Sequence, residues 1–222
     1  MPRAVIFDVD GTLVDSVDLH ARAWQDAFQL FGKDVPFDDI RYQIGKGGDQ
    51  LMPVFFPKNE LQRFGEEMQE ARGRIFRERY MSQVRPFPKV RDLFERIKRD
   101  GRQIALASSA EKEEFEANLK LLGIGDLIDG ATSSHDAERS KPFPDIFEAA
   151  VSKLDGIRAD EAVAVGDTHY DAKAAGQIGL RTIGVLCGGF REDDLRGAGC
   201  VEIWKDPADM LENYEQTAMH RD

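Results

Sequence analysis

Cysteine is scarce: Cys187 and Cys200 are the two in 222 residues. They share no metal-ligand spacing and cannot form a disulfide framework, so a small stapled scaffold is excluded and a reducing cytoplasmic setting is expected. Long apolar runs are absent too. None approaches the roughly 20 residues of a membrane span, and the opening MPRAVIFDVDG is too acidic to read as a secretory leader. Positive charge is short: 41 acids against 30 bases leave a formal net charge of −11. Such a surface repels phosphate backbones and anionic bilayers, which argues against nucleic-acid and membrane partners. A small anionic ligand would need a site with its own local positive charge. What is present is ordinary globular composition, 41% hydrophobic and 32% charged, enough to bury a core in one or two domains.

Short apolar runs alternate with helical patterns. Residues 4–7 read as a buried central strand ending in Asp8. Residues 18–31 repeat apolar positions at helical spacing. Residues 32–60 are irregular, and 61–80 read as a mostly exposed, charged helix. Further strands are expected at 103–107, 127–131, 162–165, 182–186 and 201–204. Helices are expected between them at 90–99, 111–122, 143–153 and 170–178, with Pro207 opening a last one. This order predicts an α/β fold, a doubly wound parallel, Rossmann-like sheet. The alternation breaks between residues 16 and 86, which reads as an inserted helical domain on a core of 1–15 and 87–222. Its hinges are expected near Asp15–Ser16 and Arg85–Pro88.

In open α/β sheets, ligands bind outside the carboxyl ends of the strands. Asp8, Asp10 and Thr12 follow the first strand; Ser108 and Ser109 follow the second. Lys141 lies in the loop after the third, and Asp167 and Asp171 follow the fourth. Singly each has a plain structural reading: a turn, a helix N-cap, a solvated lysine. Jointly they put several carboxylates, hydroxyls and an ammonium on one rim. Asp8 and Asp10, two residues apart in extended chain, point to the same side and repel unless a cation or proton lies between them. Hard oxygen donors suit Mg²⁺, and a carboxylate can be a covalent nucleophile toward phosphorus.

Four segments carry a resemblance: Asp8-Val9-Asp10-Gly11-Thr12, Ile104-Ala105-Leu106-Ala107-Ser108, Ser140-Lys141-Pro142 and Gly166-Asp167-Thr168-His169-Tyr170-Asp171. Together they resemble the haloacid dehalogenase-like hydrolase superfamily. The insertion resembles the helical cap of its phosphoglycolate phosphatase and β-phosphoglucomutase branch. The resemblance implies a Mg²⁺-dependent phosphatase for a small phosphorylated metabolite, working through an aspartyl-phosphate. Asp8 is then nucleophile and metal ligand. Asp10 is acid/base and binds metal through its backbone carbonyl. Asp167 is a further ligand, and Asp171 supports the metal site through water or Lys141. Ser108 and Lys141 hold the phosphoryl group. The superfamily's dehalogenases lack an acid at the position of Asp10, so its presence implies phosphate chemistry. Thr12, Ser109, His20, Lys46 and Gly47 are the candidates for contacting substrate, the last two in a glycine-rich cap loop. A β-phosphoglucomutase-type isomerase is the alternative, favoured by His20 and Trp24 but not by the cap loop. A non-catalytic binder would not need every motif intact.

Overall fold

The first strand, β1 (Ala4–Phe7), is buried along its whole length, and it sits in the middle of the sheet. Val5 and Phe7 face one side, and Ala4 and Ile6 the other. β1 pairs in parallel with β4 (Gln103–Ala107) and β6 (Ala162–Gly166). Beyond them lie β5 (Gly130–Thr132), β7 (Arg181–Val185) and β8 (Cys200–Trp204), in the order β5-β4-β1-β6-β7-β8. This is the expected doubly wound parallel sheet. The chain runs outward from β1 in both directions, so the crevice lies at the carboxyl end of β1, between β4 and β6. The structure, a computed structural model, describes residues 1–221.

Two layers of helices cover the sheet. α5 (Val90–Arg99), α6 (Lys112–Leu122) and α10 (Pro207–Glu212) cover the Val5–Phe7 side. α7 (Asp145–Ser152) and α8 (His169–Gly176) cover the other, and α9 (Glu192–Gly197) packs Leu195 beside Cys200. Among the described residues, no helix is long and apolar enough to cross a membrane.

Between β2 (Val14–Asp15) and β3 (Arg85–Pro86), which form a two-residue antiparallel pair, the chain is helical. This stretch holds α1 (Val17–Leu30), α2 (Phe37–Arg41), α3 (Gly48–Phe55) and α4 (Lys58–Ile75). A π turn at Phe76–Tyr80 continues α4. These helices enclose their own apolar cluster of Trp24, Phe28, Ile40, Leu51, Phe56 and Met68, to which the sheet side adds Phe190.

Three expectations change. The strand expected at 127–131 is Gly130–Thr132, because Leu127 closes a turn onto the Ile124 carbonyl. The irregular 32–60 stretch contains two short helices, α3 running through Pro53. The helix expected to be mostly exposed buries Gly65, Met68, Ala71, Arg72, Gly73 and Ile75, since it packs between α1 and the sheet side. Its high charge hides that face.

Candidate active site

The chain turns sharply after Asp8. Gly11 takes φ +83°, and a Cβ there would stand 2.4 Å from the Asp167 Oδ2. Glycine thus lets the first loop press against the carboxylate that follows β6. Gly188 does the same from the loop after β7, where a Cβ would stand 1.8 Å from that oxygen.

Lys141 is 1% exposed and has three polar neighbours. Its Nζ pairs with the Asp8 carboxylate, lies 2.7 Å from the Asp171 Oδ1 and 3.4 Å from the Ala107 carbonyl. Burial alone would lower its pKa; Asp171 and Asp8 outweigh that and raise it. The ammonium thus sits between two carboxylates and offsets the charge of Asp8. Asp8 goes the other way. Burial pushes it up to about 7, with Lys141 opposing and Asp171 and Asp10 adding repulsion. Asp167 is raised well above the usual carboxylate range by burial and by the charges of Asp8 and Asp171.

Thr12 does not line the cavity. Its hydroxyl lies 3.1 Å from Asp8 and 3.2 Å from Asp167, spacing the two carboxylates. Asp171 is locked by a reciprocal cap, its Oδ2 accepting from the Thr168 amide and hydroxyl. One oxygen each from Asp8, Asp167 and Asp171 lie within 4.8 Å of one another. The Asp167 Oδ2 is buried with no hydrogen-bond partner. Three buried carboxylates and an unpartnered oxygen are what a hard divalent cation satisfies. The Asp10 side chain stands outside this group. It accepts from the Ser16 hydroxyl at 2.7 Å and meets the His20 Nε2 at 3.0 Å. Burial would raise Asp10, but His20, Ser16 and the Arg72 charge outweigh it and hold it at about 2.

Asp8, Asp10 and Lys141 face a cavity of about 50 Å³, closed on the helical side by His20, Trp24, Lys46 and Arg72. Ser109 lines it with an unpartnered hydroxyl. Ser108 does not line it; its Oγ accepts from the Ala110 amide at 3.1 Å. Lys46 donates to the Gln43 Oε1 at 2.6 Å and lies over Tyr170; burial and Lys173 lower its pKa. Gly47 packs against Ser140 and borders a neighbouring groove rather than the cavity. Arg72, Glu114 and Gly188 were not anticipated. Arg72 reads as one more charge on a charged helix, and the approach of Gly188 to Asp167 leaves no trace in local sequence.

A family model described as haloacid dehalogenase-like hydrolase matches residues 5–185. The chain belongs to this family. Among the relatives of this family member, phosphoglycolate phosphatase 1 of Pseudomonas aeruginosa is 30% identical over 193 residues, covering 85% of this chain and 71% of that one. The chloroplastic protein SUPPRESSOR OF QUENCHING 1 of Arabidopsis thaliana is 33% identical over 188 residues; the match covers 82% of this chain but only 18% of that protein. Among solved structures, a hydrolase from Pseudomonas syringae superposes with TM-score 0.90 at 28% identity, covering 97% of this chain and 99% of that one.

Proposed function

We propose that the protein is a Mg²⁺-dependent phosphatase for a small phosphomonoester. The observation that carries this reading is the buried group of Asp8, Asp167, Asp171 and Lys141, of which Asp8 and Lys141 line one cavity together with Asp10 at the switch point of the sheet. The kinship with a phosphoglycolate phosphatase agrees with it.

An Asp8 oxygen attacks phosphorus, the bond to the ester oxygen breaks, and that oxygen takes a proton from Asp10. Asp10 then takes a proton from water as the water oxygen attacks phosphorus; the bond to Asp8 breaks and phosphate leaves. Asp8, Asp167 and the Asp10 carbonyl would hold Mg²⁺, which supplies charge neutralisation at the phosphoryl oxygens. Asp171 acts through Lys141, and Ser109, whose hydroxyl lines the cavity unpartnered, offers it to the phosphoryl group. Lys141, which lines the cavity, supplies positive charge beside that group.

Residues 16–86 act as a cap on a core of 1–15 and 87–222, hinged at the β2–β3 pair. Lifting the cap withdraws His20 and Arg72 from Asp10, and seating it restores the contacts that hold the Asp10 carboxyl low, which favours passage of its proton to the leaving oxygen. His20, Lys46 and Trp24 of the cap border the rest of the substrate.

Phosphate release from a panel of phosphorylated metabolites, with Mg²⁺ or EDTA, tests the reading beside Asp8→Asn. Cation-dependent release lost in the variant supports it. Release that survives Asp8→Asn overturns the assigned nucleophile. Turnover seen only with a hexose phosphate and its bisphosphate, without net phosphate release, would make it a mutase.

A further inference from the structure

Glu114 lies on α6, beneath the sheet-side layer, and is 1% exposed. A carboxylate is rarely buried so fully unless paired. Its partner comes from the helical insertion: the Arg72 Nη1 lies 3.0 and 3.2 Å from the two Glu114 oxygens. The other end of the same guanidinium, Nη2, lies 2.6 Å from the Nδ1 of His20. A guanidinium only donates. The Nδ1 is therefore the acceptor, and the ring proton sits on Nε2, which faces Asp10 at 3.0 Å. Phe76 stacks on the ring at 4.0 Å and fixes its plane. Four side chains from three helices and the first loop thus form one directed row. Glu114 is its only member from the far side of the β2–β3 hinge apart from Asp10 itself.

We propose that Glu114 is a positioning residue: through Arg72 it sets the tautomer of His20, so that the His20 Nε2–H is aimed at Asp10 only when the helical insertion is seated on α6. The consequence for the reaction rests on the phosphatase reading, but the tautomer does not. Without Glu114, Arg72 loses the acceptor that orients it, its hold on the Nδ1 slackens, and the ring proton can move to Nδ1. The groups that bind phosphate are untouched.

The test is the side-chain ¹⁵N spectrum of His20, assigned against His20→Asn, in the wild type and in Glu114→Gln, read beside kcat and KM. The expected result is an Nε2-protonated His20 in the wild type and a populated Nδ1-protonated form in Glu114→Gln. With it, kcat falls about tenfold or more while KM stays within about twofold. Glu114→Asp keeps the charge with a shorter reach, and retains more of the wild-type tautomer and rate; it also serves if Glu114→Gln does not fold. Arg72→Lys gives the same tautomer change, and combining it with Glu114→Gln adds little further loss because the two act in series. An unaltered His20 signal in Glu114→Gln, or losses that simply add, overturns the proposal. A tautomer shift in a protein that releases no phosphate from any substrate overturns the phosphatase reading and leaves the role of Glu114 standing.

Discussion

The two walls of the cavity differ in how their charges are held. On the sheet side, Asp8 and Asp167 after their strands, Asp171 in the first turn of α8 and Lys141 in the loop before α7 are all nearly or fully buried, joined by Lys141 and Thr12. On the helical side, Lys46 is half-buried on a loop, and Arg72 reaches its carboxylate partner on a different layer of the molecule. Strand ends are rigid and brought together by the ladder itself, so they can concentrate like charges at fixed spacing. The insertion meets the core through side-chain contacts: Arg72 with Glu114, Arg41 with the Gly188 carbonyl at 2.9 Å, and Asp49 with the Ser140 amide at 3.1 Å. A site divided in this way suits a common reaction on one wall and ligand choice on the other.

The contrast can be broken in graded steps. Asp8→Asn should lower phosphate release by at least about 10⁴-fold, measured at saturating Mg²⁺; a smaller loss would move the nucleophile elsewhere. Lys141→Met leaves the buried Asp8 and Asp171 without their counter-charge. It should cost about 3–5 kcal/mol in urea unfolding without added cation. Gly188→Ala drives a Cβ into the packed Asp167 side chain and should lower kcat about a hundredfold. Gly47→Ala on the helical side meets the half-buried Ser140 side chain, on a loop away from the carboxylate group, so its rate should stay within about threefold. Equal losses in the two would erase the distinction between the walls. Lys46→Ala should raise KM about tenfold with kcat little changed, since it removes one charge that borders substrate.

The smallest effect concerns pH. With EDTA present, Asp8 sits at about 7 and Asp167 well above the usual range. A carboxyl raised above its unfolded value of 3.8 contributes stability that is complete below that value and lost as pH rises through 7. Mg²⁺ binds the ionised forms. The rise in melting temperature on adding Mg²⁺ should therefore be a few degrees larger at pH 8 than at pH 5. Equal increments at both pH values would place the cation away from these carboxylates.

The legible parts of the molecule share a property: their cause is local. Residues 4–7 read as a central strand because a short, wholly apolar run has nowhere else to go. Asp8, Lys141, Asp167 and Asp171 could be gathered in advance because strand ends in a parallel sheet share one rim. The helical insertion was visible as a gap in the alternation, although α2 and α3 were not, their spacing being too short and interrupted by Pro53. The buried face of α4 escaped notice because its apolar positions are few and its glycines pack without an apolar signature.

Residue order alone thus determined the sheet, the rim and the charged groups gathered on it, since each follows from periodicity or from nearness to a strand end. Tertiary structure decided how those groups are ionised and aimed. The value of about 7 at Asp8 depends on burial and on Lys141, more than 130 positions away. Asp10 is turned toward His20 and away from the other carboxylates. His20 is oriented by Arg72, and Arg72 by Glu114, 42 residues further on. Charge interactions act through space and grow as water is excluded, so they are set by which distant side chains the fold buries together.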